Sequence, residues 1–306
     1  MEVSAEAFAP AAISNFFTIH DAGLSLDPPD LAHVGATGGG YMLSKGVRSR
    51  AQRGRSLNGS ISVVVNGDPK YDARTTRRAI ELLLAVTKRE YPGVEVAQTV
   101  EVPIGEGFGA SAASALSGVM AVASFLQIQK PIVELAFYAH SADILCRTGL
   151  GTVSVIYNRG GAGVITSAGG PGIAEVKNVP VPRGLRVVTA SLAPYDKALV
   201  LSSPSMKEKV NRLGDEALAR ASDYTIEGLV KAGEVFSESL GLESPAVRHL
   251  VRLAREHGAM GASQNMVGHA IHALVFEEDV PSVAGALERD SLSPRVAVYD
   301  FGSAAR

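Results

Sequence analysis

The residues of this 306-residue chain best suited to chemistry lie between Glu101 and Ser114. The run Glu101-Val-Pro-Ile-Gly-Glu-Gly-Phe-Gly-Ala-Ser-Ala-Ala-Ser114 sets Gly105, Gly107 and Gly109 at alternate positions after Pro103. It then passes without a break into small residues as far as Ala123. Glycine lets the backbone take positive φ and come close to a ligand. A helix starting at Ala110 would present the unpaired N–H groups of its first turn and roughly half an elementary positive charge. Together these predict an anion site, for phosphate, built from Pro103, Gly105, Gly107, Gly109, Ala110, Ser111 and Ala112. The bland alternative is a Gly/Ala-rich helix start that packs closely against another helix. A Walker A loop is excluded, because it would end in Gly-Lys-Ser/Thr where this chain reads Gly-Ala-Ser-Ala-Ala. A dinucleotide fingerprint fits loosely at Gly107, Gly109 and Ala112, but the stretch Phe125 to Pro131 lacks the acid that motif needs.

Phosphoryl transfer asks a protein for N–H groups around the phosphates, oxygen ligands for Mg2+, and a way of placing the attacking hydroxyl. Ser111 falls in the first helical turn, where its hydroxyl could ligate Mg2+ or bond a phosphate oxygen; simple capping or small-residue packing is the competing account. Asp143 stands on an otherwise apolar stretch with Leu135, Ala136, Ala139, Ala142 and Leu145. A buried carboxylate needs a partner, and Mg2+ would be one. On an exposed face it would need none. His140 precedes Asp143 by one helical turn, so the two would share a face. That makes His140 a candidate to hold a substrate carboxylate or hydroxyl, against the commoner structural role.

These residues must be positioned by the elements around them. Residues 2–9 and 13–20 read as strands on either side of Ala9 to Ala12, and residues 24–40, with Pro28-Pro29 and Gly38 to Gly40, as a mobile or ligand-facing loop. Strands follow at 41–44 and 60–65, the latter closed by the turn signal Asn66-Gly67. The pattern predicts a helix from an Asp72 cap to Glu90, a strand over 94–102 feeding the glycine loop, and a helix over 132–146 with Pro131 at its first position. After Gly149 come short strands separated by glycine-rich turns at 158–163 and 167–172. Beyond a compositional break at 179–184 come a strand at 185–191, three helical stretches between Met206 and Glu256, and strands at 269–276 and 295–299. That order predicts an α+β architecture in two domains, residues 1–178 and 179–306.

Composition narrows the partners. A formal net charge of −2 gives no basic field for nucleic acid. No run of 18 apolar residues could span a membrane and no signal is visible, so the expectation is a cytoplasmic protein. The single Cys146 excludes an internal disulfide and a multi-cysteine metal site.

The pattern Pro103-x-x-x-Gly107-x-Gly109-x-Ser111-Ala-Ala resembles the phosphate loop of the GHMP kinases, with Phe108 and Ala110 where the family favours leucine and serine. Further strings narrow the likeness to the archaeal pantoate kinase branch: Ala139-His-Ser-Ala-Asp143, Thr148-Gly-Leu-Gly-Thr-Val153, Ile13-Ser-Asn-Phe-Phe17 and Met260 to Gly268. The resemblance implies a GHMP fold, with an N-terminal domain like ribosomal protein S5 domain 2 and a ferredoxin-like C-terminal α/β domain. It implies ATP and Mg2+, with Ser111 and Asp143 at the metal, and pantoate or pantothenate as acceptor. His140, Thr152, Ser14 and Thr37 would stand on the acceptor side, and a homodimer is a further expectation. Three departures fall on that side. Thr152 replaces the aspartate that commonly orients the acceptor hydroxyl, Ala36-Thr-Gly38 replaces Ser-Arg-Gly, and Val164 to Thr166 lacks an arginine, although Arg159 is nearby. A non-catalytic nucleotide-binding homologue is the reading from another class.

Overall fold

A computed structural model describes residues 4–21, 28–54, 59–87, 91, 93–157, 160–192, 203–266 and 268–306. The first sheet is organised around β2 (Gly38–Arg53), which pairs antiparallel with β1 (Ser4–Phe17) along its length. It also pairs with β4 (Val94–Val100) through residues 47–53 and with β5 (Ala162–Ser167) through residues 38–41. The parallel strand β3 (Ile61–Val65) and β6 (Glu175–Val179) extend the two ends of the sheet. Two expectations change here. Residues 4–17 form one strand, not two, because the backbone absorbs Pro10, which has no N–H to donate, in a register shift between Pro10 and Ala12. Gly38 to Gly40 open β2 instead of closing a loop, and the preceding described residues include a short helix, α1 (Pro28–Leu31).

One face of this sheet is covered by α2 (Arg74–Ala85), α3 (Ala110–Phe125) and α4 (Ile132–Leu145). Helix α3 is made almost wholly of Ala, Ser, Gly and Val, so it sits close against both the sheet and its neighbours, and it is buried on most sides. Asn66 and Gly67 both take positive φ at the predicted turn after β3. Helix α2 starts at Arg74 without a side-chain cap, and Asp72 instead accepts the Arg74 N–H; the helix stops at Ala85, and residues 88–90 lie outside the described ones. Pro131 is the cap of α4 and not its first residue. Where a strand was expected after Gly149, Thr152–Ile156 form a short helix, α5: docking of Val153 and Ile156 into the core overrides the strand preference of β-branched residues.

The second sheet is antiparallel, in the order β10 (Arg295–Tyr299), β7 (Leu185–Ser191), β9 (Ala270–Phe276), β8 (Gly261–Gln264). Helices α6 (Pro204–Arg220) and α7 (Ile226–Leu240) fill the core between the sheets with Phe16, Phe17, Leu213, Leu229 and Phe236. Helices α8 (Pro245–Glu256) and α9 (Val280–Glu288) cover the outer face. The sequence reading missed β8 and α9. No described helix is long and apolar enough to cross a membrane.

Candidate active site

The strand β4 delivers the chain to the glycine loop, and Glu101 moors it there: its N–H donates to Gly46 O at 2.9 Å and its carboxylate receives Lys45 at 3.2 Å. Gly105, Gly107 and Gly109 have φ of +82°, +82° and +61°, a region that other residues enter only under strain. Their surroundings differ. A Cβ on Gly105 would meet nothing within 4 Å; on Gly107 it would lie 2.5 Å from Asn265 O, and on Gly109 2.9 Å from both Ala12 O and Thr152 Cγ2. Only Gly105 therefore borders open space, while the other two are glycines because neighbouring chain is pressed against them. Gly109 is also the N-cap of α3, and no side chain caps that end or places an acid in its first turn. The first-turn N–H groups are left for an outside acceptor.

The start of α3 faces Asp143 of α4. Asp143 is 1% exposed, which rules out the reading of a solvated carboxylate. Burial pushes its pKa up to about 6, against hydrogen bonds from Thr148 and Ser111 that pull it down. Thr148 Oγ1 donates to Asp143 Oδ1 at 2.5 Å and lies 3.1 Å from Thr75 Oγ1 at the start of α2, while Ser111 Oγ is 3.5 Å from Thr148 O. A Cβ on Gly149 would fall 2.2 Å from Asp143 Oδ2, so that glycine makes the room the carboxylate occupies. Among the described residues no lysine or arginine pairs with Asp143. A buried carboxylate without a cation, beside two hydroxyls, is a donor set suited to a hard divalent ion, and these residues fit Mg2+. The sequence reading did not single out Thr148 and Thr75. Thr148 lies five residues past Asp143, a spacing visible in the sequence.

The acceptor-side candidates are not gathered in the same way. His140 points away from Asp143: its Nε2 lies 3.2 Å from Leu31 O and 3.1 Å from Val34 O. Both carbonyls can only accept, so Nε2 carries the hydrogen, and burial holds the ring's pKa down to about 4. The expectation that His140 holds substrate is corrected: it is a neutral clamp on the end of α1. Thr37 is likewise engaged, its hydroxyl 2.6 Å from that of Thr18. Ser14 lies on β1 beside the second register shift, and its carbonyl accepts Met266 N–H at 3.3 Å. Thr152 is the one brought to the glycine loop, its methyl packed against Gly109. Arg159 lies outside the described residues.

With this geometry in place, comparison with known proteins gives a consistent answer. Residues 74–158, from the start of α2 to just past α5, match the model of the GHMP kinases N terminal domain. They include the glycine loop, Asp143, Thr148 and Thr152. Residues 74–158 thus carry a domain of the GHMP kinase family, and the homologues indicate an ATP-dependent phosphotransferase. Within that family the chain is similar to the pantoate kinase of Methanospirillum hungatei, 28% identical over 97% of this chain and 96% of the relative. It is also similar to the pantoate kinase of Thermococcus kodakarensis, 29% identical over 89% of this chain and 88% of the relative. A solved structure described as a phosphotransferase related to the CoA biosynthesis pathway superposes with a TM-score of 0.84 at 26% identity, covering 99% of this chain and 98% of that one.

Proposed function

We propose that this protein is a pantoate kinase that transfers the γ-phosphoryl group of ATP to the primary hydroxyl of pantoate, giving 4-phosphopantoate on the route to coenzyme A. The observation that carries the phosphotransferase reading is the buried Asp143 carboxylate, without a cation, set against Ser111 at the uncapped start of α3. A purely nucleotide-binding homologue has no need of that acid. The choice of pantoate rests on similarity that extends over almost the whole chain.

The uncapped N–H groups of the first turn of α3 receive the phosphates, and Ser111 and Asp143 would hold Mg2+. The chemistry such an ion would supply is neutralisation of the phosphate charge. Thr148 fixes the rotamer of Asp143 through its hydrogen bond. The acceptor oxygen forms a bond to the γ-phosphorus as the bond to the β–γ bridging oxygen breaks, and ADP leaves. Thr152 is no base at neutral pH, and His140 is clamped elsewhere. The acceptor proton therefore leaves late, to a phosphoryl oxygen, which a loose transition state tolerates.

Thr152 and the lack of an arginine at Val164 to Thr166 favour testing a second acceptor. Pantothenate carries the same hydroxymethyl end on an amide-linked tail and needs no arginine for a carboxylate at that point. Coupled ADP-release assays with pantoate, pantothenate, homoserine, shikimate and mevalonate separate the readings. Pantoate turnover with kcat/KM at least about tenfold above every other acceptor is the expected result. Turnover confined to pantothenate would replace the substrate, and no turnover with any of the five would remove the kinase assignment.

A further inference from the structure

A buried polar chain runs from the first sheet, through the second, to the glycine loop. Asn15 of β1 donates from Nδ2 to Tyr41 OH at 3.0 Å and to Leu229 O at 2.7 Å, which fixes its Oδ1 toward β8 and β9. There Oδ1 accepts Ser263 Oγ at 2.9 Å and lies 3.1 Å from His272 Nε2. The other ring nitrogen, Nδ1, is 2.9 Å from Asn265 Oδ1, and Asn265 Nδ2 reaches Glu106 O in the glycine loop at 3.5 Å. The room for this chain is prepared: a Cβ on Gly233 of α7 would lie 1.9 Å from Asn15 Oδ1, and one on Gly268 would lie 2.4 Å from Glu106 O. Asn265 and His272 are 0% and 2% exposed.

Both nitrogens of His272 face amide oxygens, yet a neutral imidazole has one N–H. Burial holds the ring's pKa down to about 3, so it stays neutral at working pH. The two tautomers are not equivalent. With hydrogen on Nε2, Nδ1 and Asn265 Oδ1 would confront each other as two acceptors with nothing between them. With hydrogen on Nδ1, the bond to Asn265 is made; Nε2 and Asn15 Oδ1 then face each other as acceptors at 3.1 Å, and the one hydrogen of Ser263 Oγ, 3.2 Å from Nε2 and 2.9 Å from Oδ1, is shared between them. The Nδ1–H tautomer is favoured because its opposed pair has the Ser263 hydroxyl beside both members, whereas the pair left by the Nε2–H tautomer has no donor.

The geometry points to His272 as a positioning residue for the phosphate loop: its Nδ1–H orients Asn265, which holds the Glu106 carbonyl and the Gly107 turn in the phosphate-receiving shape. This rests on the phosphate-loop reading above. The second sheet then contributes to ATP binding without touching the nucleotide.

Three variants test it by calorimetric affinity for ATP in Mg2+ buffer and for adenosine, with thermal melts alongside. His272→Asn keeps a donor at the Nδ1 position and loses the acceptor at Nε2; His272→Gln keeps a polar group at the Nε2 position and loses the Nδ1 donor; Asn265→Ala removes the contact to the loop. The expected result is ATP affinity within about twofold of the unmodified chain for His272→Asn. It should fall about five- to tenfold for His272→Gln and Asn265→Ala, with adenosine affinity unchanged in all. Equal losses in His272→Asn and His272→Gln, or ATP and adenosine affinity falling together, would overturn the inference. If one histidine variant fails to fold, the ATP-to-adenosine contrast in Asn265→Ala decides alone. Should the unmodified chain bind no ATP, the phosphate-loop reading has failed, and this inference falls with it.

Discussion

At the start of α3, Ser111, Asp143, Thr148 and Thr75 turn their oxygens toward one another, and the helix end is left uncapped. On the side of α1 the polar groups are spent on the fold: His140 on Leu31 and Val34, Thr37 on Thr18. The two regions are joined through α4, which carries both His140 and Asp143. What separates them is whether the partners a buried polar group finds match its own charge. Among the described residues Asp143 finds hydroxyls, which do not neutralise a carboxylate, and burial raises its pKa to about 6. His140 finds two carbonyls and remains a neutral donor. A group that the fold leaves uncompensated is the one poised to take a ligand.

Removing the uncompensated charge is the sharpest way to break this contrast. Asp143→Asn should lower turnover by about three orders of magnitude, because a neutral amide is a weak ligand for a hard cation. The same variant should be the more stable protein without metal. A carboxyl whose pKa is raised from 3.8 to about 6 on folding gives stability that is full below pH 3.8 and is lost as pH climbs to about 6. At pH 7.5 the loss is complete, so the amide should recover up to about 3 kcal/mol in thermal or urea unfolding. A variant that stays active, or that is less stable at pH 7.5, would remove Asp143 from the metal site.

Within the loop the contrast is between a glycine facing space and one facing chain. Gly109→Val meets both a φ of +61° and two contacts at 2.9 Å, and should weaken ATP binding by about a hundredfold or more in titration calorimetry. Gly105→Ala meets only a φ of +82°, so its affinity should fall by less than about tenfold. Equal losses at the two positions would mean that backbone conformation alone sets the affinity, and that the wall formed by Ala12 and Thr152 is incidental.

How much of this was legible in the sequence follows from the same physics. The glycine loop, α3, α4 and the turn at Asn66-Gly67 could be read because glycine spacing, small-residue runs and turn chemistry act locally. The full extent of β2 could not. Its inward residues past Gly46 are Val47, Ser49 and Ala51, and buried Ser49 bonds Ser117 of α3 at 2.7 Å, so the alternation lacks the apolar weight that marks a strand. His140 was misassigned for a related reason. A three-residue spacing places it one turn from Asp143, but the direction of its ring is set by carbonyls more than a hundred residues away in the chain. Thr148 was read only as part of the string Thr148 to Val153, because its role lies in a hydrogen bond made after α4 has ended.

Thr152 gives the smallest expected effect and reaches furthest into mechanism. It opens α5 with its methyl packed on Gly109 of the glycine loop. If positioning and charge stabilisation carry the reaction, Thr152→Ala should stay within about threefold of the unmodified kcat. Loss of a true general base typically costs about 10²–10⁴-fold. The pH profile supplies an independent readout. His140 titrates at about 4, so no imidazole there should produce a step near 6.5. Burial raises the pKa of Asp143 to about 6, and under the proposed mechanism its ionised form is the one that would bind Mg2+. At limiting Mg2+, turnover should therefore rise between pH 5 and 7. Raising Mg2+ should move the midpoint down, because a cation stabilises the carboxylate. A midpoint that ignores Mg2+ would instead belong to a base on the acceptor side. Thr152→Ala as inactive as Asp143→Asn, at every pH, would show that the threonine hydroxyl itself holds the acceptor.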